Sequence, residues 1–213
     1  MSLKTDEPII YLITKGEATP ENFDRTSREI VDIIRVAVER RVSLIQLREK
    51  HLSARLLFEL AVEAAKIIRG ASTRLLVNDR ADIALAAKAN GVHLAANSLP
   101  VKTIRCNFPS DFIVGASTHT LEAARSAADN GADFVVFGPV FETPGKDEPS
   151  GLERLAEVCG NLHPFPVIGL GGIDESNYST VLQAGASGFA AIRFLNDPEK
   201  LHTVCRDLRK QIT

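Results

Sequence analysis

Residues 120–138, TLEAARSAADNGADFVVFG, contain a predicted helix, a glycine and a predicted strand in direct succession. Thr120 can cap a helix that is predicted to end at Asn130-Gly131, and an apolar run follows at once as a strand. The same order of helix, glycine and strand returns at Asn90-Gly91 and at Gln183-Ala184-Gly185. A chain that repeats this join is predicted to alternate helices with strands.

Short apolar runs predict eight strands along the chain. They cover residues 9–14, 43–48, 74–79, 91–94, 112–117, 133–138, 166–172 and 188–195. Most are nearly continuous, as expected of a parallel sheet covered on both faces. Amphipathic segments lie between them, such as the helix that Ser53 can cap and Gly70 can end. Eight units of about 27 residues predict a single-domain (β/α)8 TIM barrel over residues 1–213. An open doubly wound sheet would carry a GxGxxG turn after its first strand, which residues 13–17 lack.

Composition narrows the class of protein. The chain has 25 Lys and Arg against 27 Asp and Glu, a net charge of −2, which argues against binding nucleic acid through a basic face. No run approaches the ~18 apolar residues of a membrane span, and residues 1–7 lack the apolar core of a secretory signal. Cys106, Cys159 and Cys205 fit neither a disulfide framework nor a structural zinc site. We therefore expect a cytoplasmic protein that binds neither nucleic acid nor membrane; a homo-oligomer stays open.

The second apolar run ends in polar side chains, at the carboxyl end of a strand, where such barrels carry their working residues. Alternation puts Gln46, Arg48 and Lys50 on one side. Two interpretations stay open. The three form a binding site of one amide and two cations, or they belong to a solvated strand end at which Glu49 makes an ion pair.

The carboxylate of Asp79, at the end of the third run, also has two interpretations. Mg2+ takes carboxylate oxygens and shares phosphate oxygens with a substrate, so Asp79 is a candidate ligand. It can equally cap the helix predicted to start near Ala81.

The fifth and sixth strand ends offer further candidates. Ser117 can donate a hydrogen bond to an oxyanion, and His119 titrates near neutral pH, although a histidine is often only a structural hydrogen-bonding group. The polar loop 141–151 is either a mobile flap that carries the cation Lys146 or an ordinary surface loop.

Gly171-Gly172 closes the seventh run and leads toward a helix predicted near Asp174. Backbone N–H groups left bare by glycine bind anions, and phosphate sites of these barrels recur after strands 7 and 8. Together the strand ends offer a phosphate pocket and a cationic pocket without an evident nucleophile. That combination predicts stabilisation of a departing phosphate or pyrophosphate.

Seven ordered motifs at successive strand ends are found together in this chain. They are QLREK at 46–50, VND at 77–79, GVHL at 91–94, GASTH at 115–119, residues 131–141, Thr143 with Lys146, and GLGGI at 169–173. From about Ile10 to Leu208 the sequence resembles the superfamily of thiamin phosphate synthases and TenI-type thiazole tautomerases. The resemblance implies a (β/α)8 barrel and a transferase of thiamine biosynthesis. Such an enzyme joins hydroxymethylpyrimidine pyrophosphate to a thiazole phosphate through a dissociative, carbocation mechanism.

The resemblance also implies the role of each site residue. Gln46 would hold the pyrimidine, and Gly172 with the strand 8 loop would bind the thiazole phosphate. The pyrophosphate would be surrounded by Arg48, Lys50, Asn78, Ser117 and Lys146. Mg2+ would bind Asp79 and the residue at position 98. Thr143 and Gly171 belong to the same substrate-binding set.

Departures from the synthase pattern keep other functions open. Ser98 stands where synthases carry a second Mg2+-binding Asp, Gly145 replaces a Thr, and Arg193 replaces an Ala but can bind phosphate bidentately. Ser98 and the Phe-Glu-Thr flap favour a thiazole tautomerase, in which His119 would transfer a proton. The retained cationic set favours the synthase, which is our first hypothesis. A non-catalytic regulator that binds a thiazole or pyrimidine phosphate is the third.

Overall fold

The structure is a computed structural model that describes residues 7–145 and 148–210. Within them eight strands alternate with eight helices, and the strands pair in the order β1 to β8 as a closed barrel. The strands are β1 Ile9–Ile13, β2 Leu44–Leu47, β3 Arg74–Asn78, β4 Gly91–Leu94, β5 Ile113–Thr118, β6 Phe134–Phe137, β7 Val167–Leu170 and β8 Gly188–Ala191. The helices are α1 Phe23–Glu39, α2 Ala54–Ile68, α3 Ala81–Ala86, α4 Val101–Asn107, α5 Leu121–Asp129, α6 Gly151–Leu162, α7 Tyr178–Gln183 and α8 Pro198–Lys210. The predicted (β/α)8 barrel is confirmed. No helix of the described ranges has the length and apolarity to cross a membrane.

The described residues divide into two compact units. The N-terminal unit comprises residues 11–92 and 192–210, and the central unit comprises residues 7–10 and 93–191 without 146 and 147. The expectation of one domain over residues 1–213 stays a prediction.

Parallel pairing of β1, β2 and β3 forms the sheet of the N-terminal unit. Tyr11 lies opposite Leu44, and Leu47 lies opposite Val77. All four residues of β2 are buried and three of them are apolar, as expected of a parallel strand covered on both faces. The Ser53 side chain accepts a hydrogen bond from the Leu56 N–H at 3.3 Å and so caps α2, as predicted.

The pairing of β5 to β8 forms the sheet of the central unit. A Cβ on Gly115 would lie 2.3 Å from Cζ of Phe134, so the glycine makes the space for that buried ring. Thr120 caps α5 by accepting from the Ala123 N–H at 3.1 Å, and Gly131 follows the helix with a φ of +93°. The cap at Thr120 and the helix end before Gly131 are thus both confirmed.

Several predicted boundaries are wrong by a few residues. The helix expected to end at Asn90-Gly91 ends at Ala86, because Lys88 adopts a φ of +60°, outside the helical region. The seventh strand ends at Leu170, since Gly171 and Gly172 take φ values of +105° and +62°.

The elements that follow β7 and β8 also differ from the expectation. The helix predicted near Asp174 begins only at Tyr178 and has 6 residues. The eighth strand ends at Ala191 instead of residue 195, because the chain turns there and the Asn196 N–H donates to the Ile192 carbonyl at 3.2 Å.

Candidate active site

Every candidate residue inside the described ranges lies near the carboxyl end of a strand or in the segment that follows it. Six belong to the N-terminal unit: Gln46, Arg48, Lys50, Asn78, Asp79 and Arg193. Six belong to the central unit: Ser98, Ser117, His119, Thr143, Gly171 and Gly172. Lys146 lies outside the described residues. The two groups have different chemistry.

Gln46 is held inside the N-terminal unit by a tyrosine. Its side chain is 2% exposed, and its Nε2 donates to the Tyr11 hydroxyl at 2.9 Å. Burial raises the pKa of Tyr11, so the phenol stays protonated. Tyr11 therefore fixes the direction of the Gln46 amide, a role that its place in an apolar run did not reveal.

Glu49 makes contacts that differ from the ion pair expected at a solvated strand end. It is 3% exposed, and its two carboxylate oxygens accept from the N–H groups of Gly16 at 3.1 Å and Ala18 at 2.9 Å. The ion pair expected for Glu49 in a solvated strand end is thus replaced by hydrogen bonds to the loop after β1. A carboxylate bonded to two backbone N–H groups fixes that loop against β2.

Arg48 lies against the loop that Glu49 holds. Its backbone N–H donates to Thr14 Oγ1 at 2.8 Å, and a Cβ on Gly16 would lie only 3.2 Å from its Nη1. Gly16 has a φ of +79°, so it provides both the turn and the room for the guanidinium. Lys50 is exposed in a turn beyond the last strand residue, Leu47.

Asp79 does not cap the following helix. The N-cap residue of α3 is Arg80, and no side chain caps it. Asp79 has a φ of +57° and accepts from Asn78 Nδ2 at 2.9 Å. A non-glycine residue in the left-handed region is uncommon and directs attention to function. The cap interpretation is wrong, and an oriented carboxylate beside an amide remains.

Neighbouring strand ends bring part of this group together. Leu47 pairs in register with Val77, so Arg48, which follows β2, comes beside Asn78, the last residue of β3. Arg193 is exposed in the turn after β8, not on the strand.

Ser117 in the central unit contacts His93, the histidine of the GVHL motif at residues 91–94. Ser117 is half-buried near the end of β5, and its Oγ lies 2.8 Å from Nε2 of His93. His93 is 3% exposed. The sequence of β4 did not predict this contact. All four residues of the strand are buried, so no alternation of buried and exposed positions marks His93 as facing Ser117.

The ring of His119 is oriented by the backbone after β6. Its Nδ1 lies 2.5 Å from the Gly138 carbonyl oxygen, and a carbonyl only accepts, so Nδ1 carries the proton and donates. In the neutral ring this leaves Nε2 as the basic nitrogen. Ser98 contributes only a neutral hydroxyl, in a turn where its N–H donates to the Ala95 carbonyl at 3.0 Å.

The base of the 141–151 loop is bonded to the end of β7. The Val140 N–H donates to the Leu170 carbonyl at 2.8 Å, and the Phe141 N–H donates to the Gly171 carbonyl at 3.0 Å. Thr143 Oγ1 donates to the Phe141 carbonyl at 3.1 Å. The loop therefore starts as a fixed extension of the sheet.

The Gly171-Gly172 turn is possible only for glycine. A Cβ on Gly171 would lie 2.6 Å from Cα of Pro139, and one on Gly172 would lie 2.6 Å from the Glu142 carbonyl oxygen. Asn177 Nδ2 donates to the Gly172 carbonyl at 2.9 Å. Within residues 7–145 and 148–210 the N–H groups of Gly172 and Ile173 donate to no protein acceptor. Two adjacent amides are thus available for an anion.

The cysteines take no part in either group. Cys106 is exposed, Cys159 and Cys205 are buried, and all three are free thiols, as expected from their number and spacing. Burial raises the pKa of Cys159 and of Cys205 to about 11, so neither is an activated nucleophile.

Known proteins share this sequence and fold. A model of the thiamine monophosphate synthase family matches residues 10–195. The thiamine-phosphate synthase of Methanoculleus marisnigri is 39% identical over 197 residues, covering 91% of this chain and 92% of that protein. The one from Roseiflexus sp. is 38% identical over 187 residues, covering 86% and 76%. The structure of thiamine phosphate pyrophosphorylase from Pyrococcus furiosus superposes with a TM-score of 0.77 at 29% identity, covering 94% of this chain and 96% of that one.

Proposed function

The chain belongs to the thiamine monophosphate synthase family, and on this premise we propose that it is a thiamine-phosphate synthase. The reaction joins hydroxymethylpyrimidine pyrophosphate to a thiazole phosphate and releases pyrophosphate. The observation that carries the proposal is the β2 end, where Arg48 and Lys50 flank a buried Glu49 whose carboxylate is bound to backbone amides. Both cations stay available for a substrate because Glu49 is engaged elsewhere.

Stabilisation of the leaving group is the main task of the N-terminal unit in this proposal. The bond between the pyrimidine methylene carbon and the pyrophosphate oxygen breaks, and its electron pair leaves with the pyrophosphate. Arg48 and Lys50 neutralise the charge that develops, with Asn78 as a further donor. The thiazole nitrogen then donates its lone pair to the carbocation. No protein nucleophile is needed, which agrees with the inert buried thiols.

The other substrate contacts follow from the chemistry of each group. Gln46, whose Nε2 donates to Tyr11, is proposed to hold the pyrimidine. The available N–H groups of the Gly171-Gly172 turn are proposed to bind the thiazole phosphate. The remaining substrate-binding and catalytic residues are assigned by the family resemblance alone: Ser117, Thr143, Lys146 and Arg193.

Mg2+ is implied by the family, and the residues fit it in part. Asp79 offers carboxylate oxygen, the donor that Mg2+ prefers. Ser98 offers a hydroxyl where the synthases have a second carboxylate. The described part of the chain contains no cluster of three or more His, Cys, Asp or Glu able to hold a metal. Since Mg2+ commonly binds one or two carboxylates plus substrate phosphates, we propose that Asp79 is its protein ligand. Bound there, the ion would add positive charge beside the phosphates.

A second candidate function rests on His119. Because Nδ1 donates to Gly138, Nε2 of the neutral ring is positioned as a base, which suits a thiazole tautomerase. The two functions predict different responses to substitution. In a synthase, Lys146→Ala lowers kcat more than it raises KM, because departing charge exists only in the transition state. In a tautomerase, His119→Ala abolishes turnover.

Assays of both activities decide between the candidates. The purified chain is incubated with each substrate set and Mg2+, as wild type, Lys146→Ala and His119→Ala. The synthase is supported if the wild type forms thiamin phosphate, Lys146→Ala forms it more slowly, and His119→Ala forms it at the wild-type rate. Consumption of the thiazole tautomer without thiamin phosphate overturns it in favour of the tautomerase. The cytoplasmic location and the option of a homo-oligomer stay predictions.

A further inference from the structure

His93 and Ser117 form a buried pair in the central unit that the proposed function does not explain. His93 Nε2 lies 2.8 Å from Ser117 Oγ, and the His93 ring packs against Phe134 with centroids 6.0 Å apart. With only 3% of the residue exposed, the ring cannot turn away without opening the core. The geometry of this pair is therefore fixed before any substrate arrives.

The protonation of Nε2 decides what Ser117 can do. A serine hydroxyl has one proton to donate and two lone pairs that accept. If Nε2 carries a proton, it donates to Ser117 Oγ and the serine proton can be donated elsewhere. If Nε2 is bare, Ser117 donates its only proton to the ring and can offer nothing to an anion.

We propose that His93 is a positioning residue that donates from Nε2 to Ser117 and so directs the serine proton toward the departing anion. Phosphate oxygens at neutral pH are acceptors, so Ser117 contributes to pyrophosphate binding only as a donor. This inference rests on the proposed function, which assigns Ser117 to the pyrophosphate. It adds the requirement that Nε2 be protonated.

The first test measures the protonation of Nε2 directly. In the 15N-labelled full chain, two-bond 1H–15N correlation spectra identify which ring nitrogen of His93 carries a proton, with His93→Gln used to assign the signals. We expect a protonated Nε2. A bare Nε2 overturns the inference. This measurement needs no turnover, so its result is independent of whether the chain proves to be a synthase.

The second test asks whether His93 acts through Ser117. We expect His93→Leu to lower kcat about tenfold, as loss of an outer-shell partner typically does, with KM for the pyrimidine substrate changed by less than about twofold. In a Ser117→Ala background, His93→Leu should lower kcat by less than about twofold, because the hydroxyl that His93 positions is absent. An equal loss in both backgrounds overturns the positioning role.

Two further variants separate positioning from folding. His93→Gln keeps a side-chain N–H that can reach Ser117, and we expect it to retain more kcat than His93→Leu at equal thermal stability. His163→Gln changes an exposed histidine after α6 and serves as the matched control, with wild-type kcat expected. Equal kcat losses in His93→Gln and His93→Leu would contradict the inference.

Discussion

We propose that the candidate residues of the N-terminal unit and those of the central unit bind anions by different means. In the N-terminal unit the binding groups are charged side chains, and Arg48 is supported by a loop that the buried Glu49 holds. In the central unit the binding groups at the β7 end are backbone amides, exposed by a turn that only glycine can form. A charged binding side chain can be truncated without altering the fold. A backbone amide cannot be removed by substitution, and a side chain added at the glycine turn that exposes it changes the turn itself. Substitutions in the two regions should therefore fail in different ways.

Removal of charge in the N-terminal unit should give the largest effect, and on turnover rather than on stability. We expect Arg48→Ala to lower kcat by about 100- to 1000-fold, as loss of a group that stabilises transition-state charge typically does. Steady-state kinetics and thermal unfolding of the same variant provide the measurement. Arg35→Ala, on an exposed position of α1, is the charge-matched control. If Arg48→Ala lowered the stability and left kcat unchanged, the proposed difference between the N-terminal and central units would be wrong.

A side chain in the β7 turn should destabilise the central unit. Gly171→Ala places a Cβ 2.6 Å from Pro139 and strains a φ of +105°. We expect the free energy of unfolding to fall by about 3 kcal/mol, from clash and backbone strain together. Urea denaturation measures it. Gly70→Ala has a similar φ of +82° but meets nothing within 4 Å, so it should cost only about 1 kcal/mol. Equal losses in both would show that strain alone, not the close approach of Pro139, constrains the turn.

Glu49 links stability to function inside the N-terminal unit. Glu49→Gln replaces one acceptor oxygen by an N–H2 group that faces a backbone N–H donor. We expect a loss of about 2 kcal/mol of stability, because hydrogen bonds to a charged group are replaced and a buried donor is left unsatisfied. We also expect a lower kcat, since the loop supports Arg48. Chemical denaturation and kinetics test both, with the exposed Glu63→Gln as control. Full stability in Glu49→Gln would argue against this support.

The smallest effect is expected from an exposed ion pair in the N-terminal unit. Arg80 donates twice to Asp82, at 2.8 and 2.6 Å, and this hydrogen bonding lowers the pKa of Asp82. A lowered carboxyl pKa contributes stability to the fold above the unfolded pKa of about 3.9. That contribution is lost as the pH falls through the pKa of the folded state. Solvent screening limits the contribution to about 0.5 kcal/mol. Unfolding free energies between pH 7 and pH 3 should fall slightly less steeply in Arg80→Ala. An identical pH dependence in Arg80→Ala and the wild type would show that the Arg80–Asp82 pair does not contribute to stability.

The sequence predicted what is local and missed what is long-range. The eight strands follow from apolar runs, and the caps at Ser53 and Thr120 follow from residue type three positions before the bonded amide. Glu49 and His93 could not be read in this way. Glu49 contacts amides 31 and 33 residues away along the chain, and His93 contacts Ser117 24 residues away, so these pairs meet only after neighbouring strands are placed side by side.

Boundaries failed where a single residue adopted an unexpected backbone conformation. Lys88 and Asp79 both have positive φ, which no residue-type pattern predicts for lysine and only weakly for aspartate. At Asp79 that conformation removed the simplest structural explanation, the helix cap, and left the carboxylate as a candidate ligand.

The proposed reaction releases pyrophosphate and joins two heterocycles, and it uses cations that neutralise the departing charge instead of a protein nucleophile. Its most direct test is a turnover assay with hydroxymethylpyrimidine pyrophosphate and thiazole phosphate, titrated with Mg2+, in which both products are quantified. We expect thiamin phosphate and pyrophosphate in equal amounts, at a rate that rises with Mg2+ to saturation. Absence of thiamin phosphate at every Mg2+ concentration, from a chain that is folded by circular dichroism, would contradict it.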